Sequence, residues 1–330
     1  MSNYVLLNLE DKINDTQKGS ADSTLIGLRK RYEERKQHRG LVKKFLGSNS
    51  VTEYRCVEAA PLKFTDDAAR LATIRSACSQ AKKIYLVAHG DPRTTDVCYT
   101  NNVGSTSGVL RLASATELAA FLARVLVSSK DEFHIALVMC YGARCRNYQS
   151  ANVNHQSRMA NADLVTSFAY RLFHELVSGY NIRVLLSAVT GKIQHDSTTG
   201  HALVEHEEVI DVNMEIAEAD KAKRAGMIGA VGVLKPQNEQ DAAYKANYDA
   251  WKSSTAGADA IRRSNDARTD RNAILSRLSA NKENEMMHKY GKLVYRHKKG
   301  SLTILSKYGN PGGGMKPGSV IYSGPLLSPG

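Results

Sequence analysis

Two short stretches hold residue types that could do chemistry together. In "KKIYLVAHGD", residues 82–91, an apolar run stops at His89-Gly90. In "FHIALVMCYGARCR", residues 133–146, a second apolar run stops at Cys140. A thiol beside an imidazole makes a nucleophile and its base. A free thiol is only a few per cent ionised at neutral pH, and a neighbouring imidazole can take its proton or hold the thiolate. The glycine adds a third part. With no Cβ, the N–H of Gly90 can sit against a reacting carbonyl. Together with the Cys140 N–H it would form an oxyanion hole, each donor contributing ~3 kcal/mol. Gly142 would let the loop after the nucleophile open for a substrate.

This chemistry works only if the two strand ends are neighbours. Residues 82–89 and 133–140 are nearly continuous apolar runs, the pattern of strands buried on both faces of a parallel sheet. Between them, 114–129 reads as a helix with Ser114 and Glu117 spaced as a capping box. Before them, 4–9 and 51–59 read as strands, 23–46 as a basic helix, and 65–81 as an amphipathic helix with Thr65 at its N-cap. After them, 162–179 reads as a helix and 182–191 as a third buried strand. Alternating strands and helices give a parallel α/β sheet with right-handed crossovers. In such sheets ligands bind at the carboxyl ends of the strands, where His89 and Cys140 both stand. Residues 213–226 and 239–289 carry helical periodicity with few large apolar residues. The Gly- and Pro-rich end reads as a short hairpin or a flexible tail. The expected division is therefore 1–50, an N-terminal basic helical segment; 51–212, the catalytic core; and 213–330, a helical C-terminal region with its tail.

"YLVAHGD", an amphipathic helix and "HIALVMCYGA" in that order resemble the caspase-like cysteine peptidases, the group that includes caspases, legumain, clostripain, gingipain, separase and the autoprocessing domains of bacterial toxins. Their pattern is an apolar strand ending in His-Gly and a following strand ending in the nucleophilic Cys. In caspases the His precedes the Cys by about 50 residues; here the separation is 51 residues. The resemblance covers roughly residues 51–195. It implies a caspase-like, mostly parallel sheet flanked by helices, with the helical C-terminal region added. It also implies a cysteine endopeptidase acting through a thioester acyl-enzyme and needing no cofactor, with His89 as base and Cys140 as nucleophile. The strand after the Cys strand helps build the substrate pocket in that family, which would bring Ser187 and Ala188 close to the P1 side chain. "CYGARC" is not the caspase Q-A-C-R-G, so an Asp preference at P1 is not implied. Asp91, Asp96 and Asp196 are candidate pocket carboxylates for a basic P1 residue, whereas Arg144 and Arg146 would favour an acidic one.

Two other readings compete. "CYGARCR" also fits C-x5-R, the phosphatase loop in which backbone N–H groups and an Arg cradle phosphate; Cys140 and Arg146 would take those roles. The required flanking residues differ, since Ala143 and Asn147 stand where that loop has Asn and Ser. The third reading is a non-catalytic binder of nucleic acid or membrane surface. The net charge is +12, and residues 29–44 alone hold eight basic side chains against Glu33 and Glu34. That charge also suits an acidic partner or a polyanionic activator of an enzyme.

Five cysteines are an odd count without framework spacing, which argues for reduced thiols in a cytosol-like compartment. Cys56, Cys78 and Cys98 read as structural and Cys145 as a bystander. His195, His201 and His206 with Glu205 match no zinc signature, so no metal is expected. No apolar run reaches the ~18 residues of a membrane span, and no Sec-type signal is visible. A bacterial toxin or effector acting in a host cytosol fits these features.

Overall fold

The computed structural model describes residues 3–10, 24–30, 50–58, 63–92, 94–100, 112–127, 132–145, 164–195, 202–204, 207–231, 242–280, 292–309, 315–316 and 320–329. The chain divides into two compact units, residues 1–205 with 285–330, and residues 206–284.

The first unit is built on a mixed sheet. Strand β1 (Asn3–Asn8) pairs in parallel with β2 (Ser50–Arg55). The short strands β3 (Val57–Glu58) and β4 (Lys63–Phe64) form a ribbon beside it. On the other side of β1 lie β5 (Ala81–Val87), β9 (Phe133–Val138) and β10 (Val184–Val189), each parallel to its neighbour. Between β5 and β9 the chain makes a small antiparallel sheet of β6 (His89–Asp91), β7 (Thr94–Tyr99) and β8 (Leu112–Ser114). After β10 comes the β11 (Ile193–His195) and β12 (Ala202–Val204) hairpin. The last strands are β13 (Lys292–Lys298), β14 (Ser301–Gly309), β15 (Met315–Lys316) and β16 (Val320–Gly324). The sheet order is β2-β1-β5-β9-β10-β13-β14, with β15 and β16 both pairing with β14. Of these, β2, β1, β5, β9 and β10 run parallel, and β13 turns the sheet antiparallel.

The period of two in the parallel strands is what buries both faces. Val5, Leu7, Ile84, Leu86, Ile135, Leu137 and Leu186 face one core, which they share with helices α1 (Ala68–Gln80), α2 (Ala115–Val125) and α3 (Phe168–His174). Tyr4, Leu6, Tyr85, Val87, Ala136 and Val138 face the other, packed with Leu25 and Leu28 of a helical stretch at 24–30. The remainder of the expected basic helix, and most of its basic residues, lie outside the described residues.

The α2 helix carries the expected capping box in full: Ser114 Oγ accepts from the Glu117 N–H and Glu117 Oε2 accepts from the Ser114 N–H. At α1 the cap differs. Asp67, not Thr65, receives the Arg70 N–H at 2.7 Å. Thr65 is fully buried and its N–H donates to the Cys56 carbonyl, so it serves the β3–β4 region instead. The expected helix over 162–179 is divided. A 3-10 turn at Leu164–Thr166 gives way at Ser167, which caps α3, and a π-helical turn at Glu175–Gly179 follows.

The C-terminal residues depart most from expectation. The helical unit ends by 284 and the chain returns to the sheet, rather than closing in a tail. Leu293, Tyr295, Leu302 and Ile304 are fully buried in the main core. The β13–β14 turn takes Lys299 and Gly300 at positive φ, 53° and 76°, the geometry that a two-residue hairpin turn needs. The N-terminal strand likewise lies within the sheet, between β2 and β5, rather than in a separate segment.

The second unit is helical: α4 (Glu207–Val231), α5 (Ala242–Ser253) and α6 (Thr255–Ala280). Its polar composition is explained by what ties it. Asp220 on α4 accepts from Ser264 Oγ and from Arg268 on α6, both at 2.6 Å, and Arg271 reaches Asn213. The Ser264 hydrogen bond, then the neighbouring positive charges of Arg268, Lys223 and Arg224, hold the Asp220 carboxyl below its ordinary value. Trp251 supplies the main apolar contact, packing close to Gly226 and Gly257. No helix of the described residues is long and apolar enough to cross a membrane.

Candidate active site

Register, more than proximity in sequence, assembles the site. In β5 and β9, Val87 is paired with Val138. Two residues further along each strand are His89 and Cys140, so they stand level at the carboxyl edge of adjacent strands. In β1 and β5, Asn8 is paired with Val87. Two residues beyond Asn8 is Glu10. The backbone keeps this alignment past the strand ends, with Leu9 N–H donating to Val87 O at 3.0 Å and Ala88 N–H to Val138 O at 3.2 Å. Glu10, His89 and Cys140 therefore form a row across three neighbouring strands.

The row has a defined geometry. His89 Nε2 lies 3.2 Å from Glu10 Oε1. The imidazole is partly exposed, at 23%, whereas the carboxylate is 5% exposed. Cys140 is the one cysteine of the five that is not buried. Its Sγ stands 4.0 Å from the Ile193 carbonyl, at the start of β11. Cys56 and Cys98 differ sharply: burial pushes the Cys98 thiol up to about 12 and raises that of Cys56 further. Among the described residues no group of His, Cys, Asp and Glu is arranged to hold a metal ion.

Gly90 has a steric reason to be glycine. A Cβ there would overlap the Cys140 carbonyl oxygen and crowd the Met139 methyl. The backbones of the two strand ends thus meet directly, which puts Gly90 beside Cys140.

The loop after Cys140 is tight. Tyr141 takes a positive φ of 60°, uncommon for a residue with a side chain. Its N–H donates to Gly191 O, Gly142 N–H to Met139 O, Ala143 N–H to Val189 O, and Arg144 N–H to Tyr141 O. The segment is stitched to the carboxyl end of β10. Gly142 faces inward, where a Cβ would meet the Leu137 side chain at 3.1 Å, and its carbonyl receives the Ala169 N–H. It closes the turn against the core instead of opening it to a substrate.

The other expected residues are dispersed. Ser187 and Ala188 are buried inside β10, and Ser187 is paired with Ala136, four residues short of Cys140. They are not brought to the carboxyl edge; residues 189–191 occupy that level. Asp91 is buried at the end of β6, two residues after His89. Asp96 is half exposed and lies 3.5 Å from Arg171. Arg144 is buried and lies over the Tyr141 ring. His195 is the last residue of β11. Arg146, Asp196, His201, Glu205 and His206 lie outside the described residues.

Glu10 was missed by sequence reasoning, although a signal existed. "YVLLNLE" is a third apolar run that ends on an ionisable residue, just as the runs before His89 and Cys140 do. Comparison with protein-family models, curated proteins and solved structures finds no match to this chain.

Proposed function

We propose that this chain is a cysteine endopeptidase of the caspase-like kind, with His89 as base and Cys140 as nucleophile. The observation that carries the reading is the row itself: an imidazole and the one unburied thiol, level with each other at the carboxyl edge of adjacent parallel strands. The imidazole accepts the thiol proton. The thiolate attacks the peptide carbonyl carbon, and the oxyanion is held by the Gly90 and Cys140 N–H groups. The C–N bond then breaks, the amine leaves with the proton returned by the imidazole, and a thioester remains. Water, deprotonated by the same imidazole, attacks the thioester, releasing the acid and restoring the thiol. Ile193, whose carbonyl lies 4.0 Å from the Cys140 thiol, is placed to meet a substrate there. A reducing compartment suits such a thiol, and a polyanionic partner suits the positive charge.

The phosphatase alternative is weakened by the loop. A phosphate cradle needs the N–H groups after the Cys to converge on an anion. Here those of Tyr141, Gly142, Ala143 and Arg144 are all donated to protein carbonyls. The test is hydrolysis of a fluorogenic peptide library under reducing conditions. Cleavage that is abolished in Cys140→Ala and in His89→Ala supports the peptidase. Phosphate-ester hydrolysis by the wild type, with no peptide cleaved, overturns it.

A further inference from the structure

The edge of the sheet opposite the row gathers positive charge. At the amino ends of β9 and β10 lies a cavity of about 630 Å³. Arg183, Arg296, Lys298 and Lys299 line it, with Glu132 the one carboxylate among the described lining residues. Phe133 starts β9 and precedes Cys140 by seven residues, so about 23 Å of strand separates this cavity from the thiol. We propose that the cavity is a docking site for a segment of a partner protein that carries carboxylates on either side of an apolar side chain. Its role as a docking site is independent of the peptidase reading.

The register sets the cations side by side. Leu185 of β10 is paired with Arg296 of the antiparallel β13. Two residues back along β10 and two on along β13, Arg183 falls level with Lys298. Lys299 follows in the β13–β14 turn. Like charges level with each other on adjacent strands are destabilising. All three side chains are exposed, and among the described residues none of them forms an ion pair. Glu132 does not relieve them. Both of its oxygens accept from Arg296, at 2.8 Å each, and Oε2 also faces His134 at 3.5 Å. The charge of Arg183, Lys298 and Lys299 is therefore left for an anion from outside. Arg183 is fixed at its base, since its carbonyl accepts the Phe133 N–H at 2.9 Å.

The apolar part of the cavity selects the kind of anion. Val177 and Ile182 line it and pack on the main core. The π-helical turn delivers them: Tyr180 N–H donates to Glu175 O, Asn181 turns the chain at a φ of 53°, and Ile182 N–H donates to Leu176 O. A free phosphate or polyphosphate is polar on every side and gains nothing from covering two aliphatic side chains. A peptide gains from both parts. Its apolar side chain covers the aliphatic surface while its carboxylates reach the cationic rim. Arg183 suits a carboxylate, to which it can present two parallel N–H donors, and the lysines add point charges. The volume falls within the range of about 300–1,000 Å³ that ligand pockets occupy.

The experiment is a fluorescence-anisotropy titration of the full chain with a fluorescein-labelled peptide of glutamates with interspersed leucines. Polyglutamate of equal charge, the peptide with glutamine in place of glutamate, and inorganic triphosphate as competitor are run beside it. The glutamate–leucine peptide should bind at least about fivefold tighter than polyglutamate, and the glutamine version should not bind. Arg183→Ala and Lys298→Ala should each weaken binding about tenfold. Lys245→Ala with Lys252→Ala removes two exposed lysines of the helical unit and should change it less than about twofold. Cys140→Ala should bind as the wild type does, which separates docking from cleavage. No binding by the wild type, or polyglutamate or triphosphate binding as tightly as the leucine peptide, overturns the proposal, and these comparisons need no variant to fold. Binding unchanged in Arg183→Ala, weakened equally by the two helical-unit substitutions, or lost in Cys140→Ala overturns it too. Absence of peptide cleavage, with docking intact, would sink the peptidase reading alone.

Discussion

At the scale of single residues, the site depends on how closely two backbones can approach. Gly90 packs on the Cys140 carbonyl with no room for a methyl group. Gly90→Ala should therefore push β5 and β9 apart beyond their last paired residues and displace both His89 and the Gly90 N–H, the proposed base and oxyanion donor. Peptide hydrolysis is expected to fall by about 100-fold or more, while the melting temperature drops only modestly because the strain is confined to the strand ends. Kinetics and thermal melts on the same preparation check this. Wild-type turnover in Gly90→Ala would exclude that backbone from the oxyanion site. That His89 and Cys140 stand at strand ends was legible in the sequence because each ends an apolar run. Ser187 and Ala188 were set too far back, because the sequence shows where a strand lies but not which of its residues reaches the edge. Only the register against Ala136 reveals that.

At the scale of elements, the parallel core was legible and its completion was not. The runs at 82–89, 133–140 and 182–191 are mostly apolar rather than alternating, the pattern of a doubly covered strand. The capping box at Ser114 was equally direct, since it depends on residues three apart. Ser114→Ala should cost about 1 kcal/mol of stability and leave peptide cleavage unchanged, because α2 contributes no residue to the row of Glu10, His89 and Cys140. Denaturant titration measures the first effect and a kinetic assay the second. The C-terminal strands were harder to see. "KLVYRHKKGSLTILSKYG" alternates polar and apolar residues over a Lys-Gly turn, which marks a hairpin, but pairing with β10 is a contact across about a hundred residues of sequence. Nothing local specifies it. Ile304 is fully buried on β14, so Ile304→Ala should cost about 2–5 kcal/mol. A loose tail would show no change in stability.

At the scale of the whole molecule, five free thiols occupy two kinds of environment. Burial raises the Cys98 thiol to about 12 and Cys56 beyond it, whereas the unfolded chain ionises its thiols near 9. The unfolded state therefore holds fewer thiol protons than the native state between those values. Stability from these two groups is fully present below pH 9 and is lost as pH rises toward 12 and above. The melting temperature should fall across that window, and Cys98→Ala should flatten the fall. The same contrast gives the most direct test of the central claim, that Cys140 is a nucleophile activated by His89. The native protein would be treated with sub-stoichiometric iodoacetamide at pH 6, beside His89→Ala, and the label located by peptide mass spectrometry. The account predicts that Cys140 alone is labelled and that the label is largely lost in the variant. Labelling spread over several cysteines, or equal labelling of Cys140 with and without His89, would contradict it.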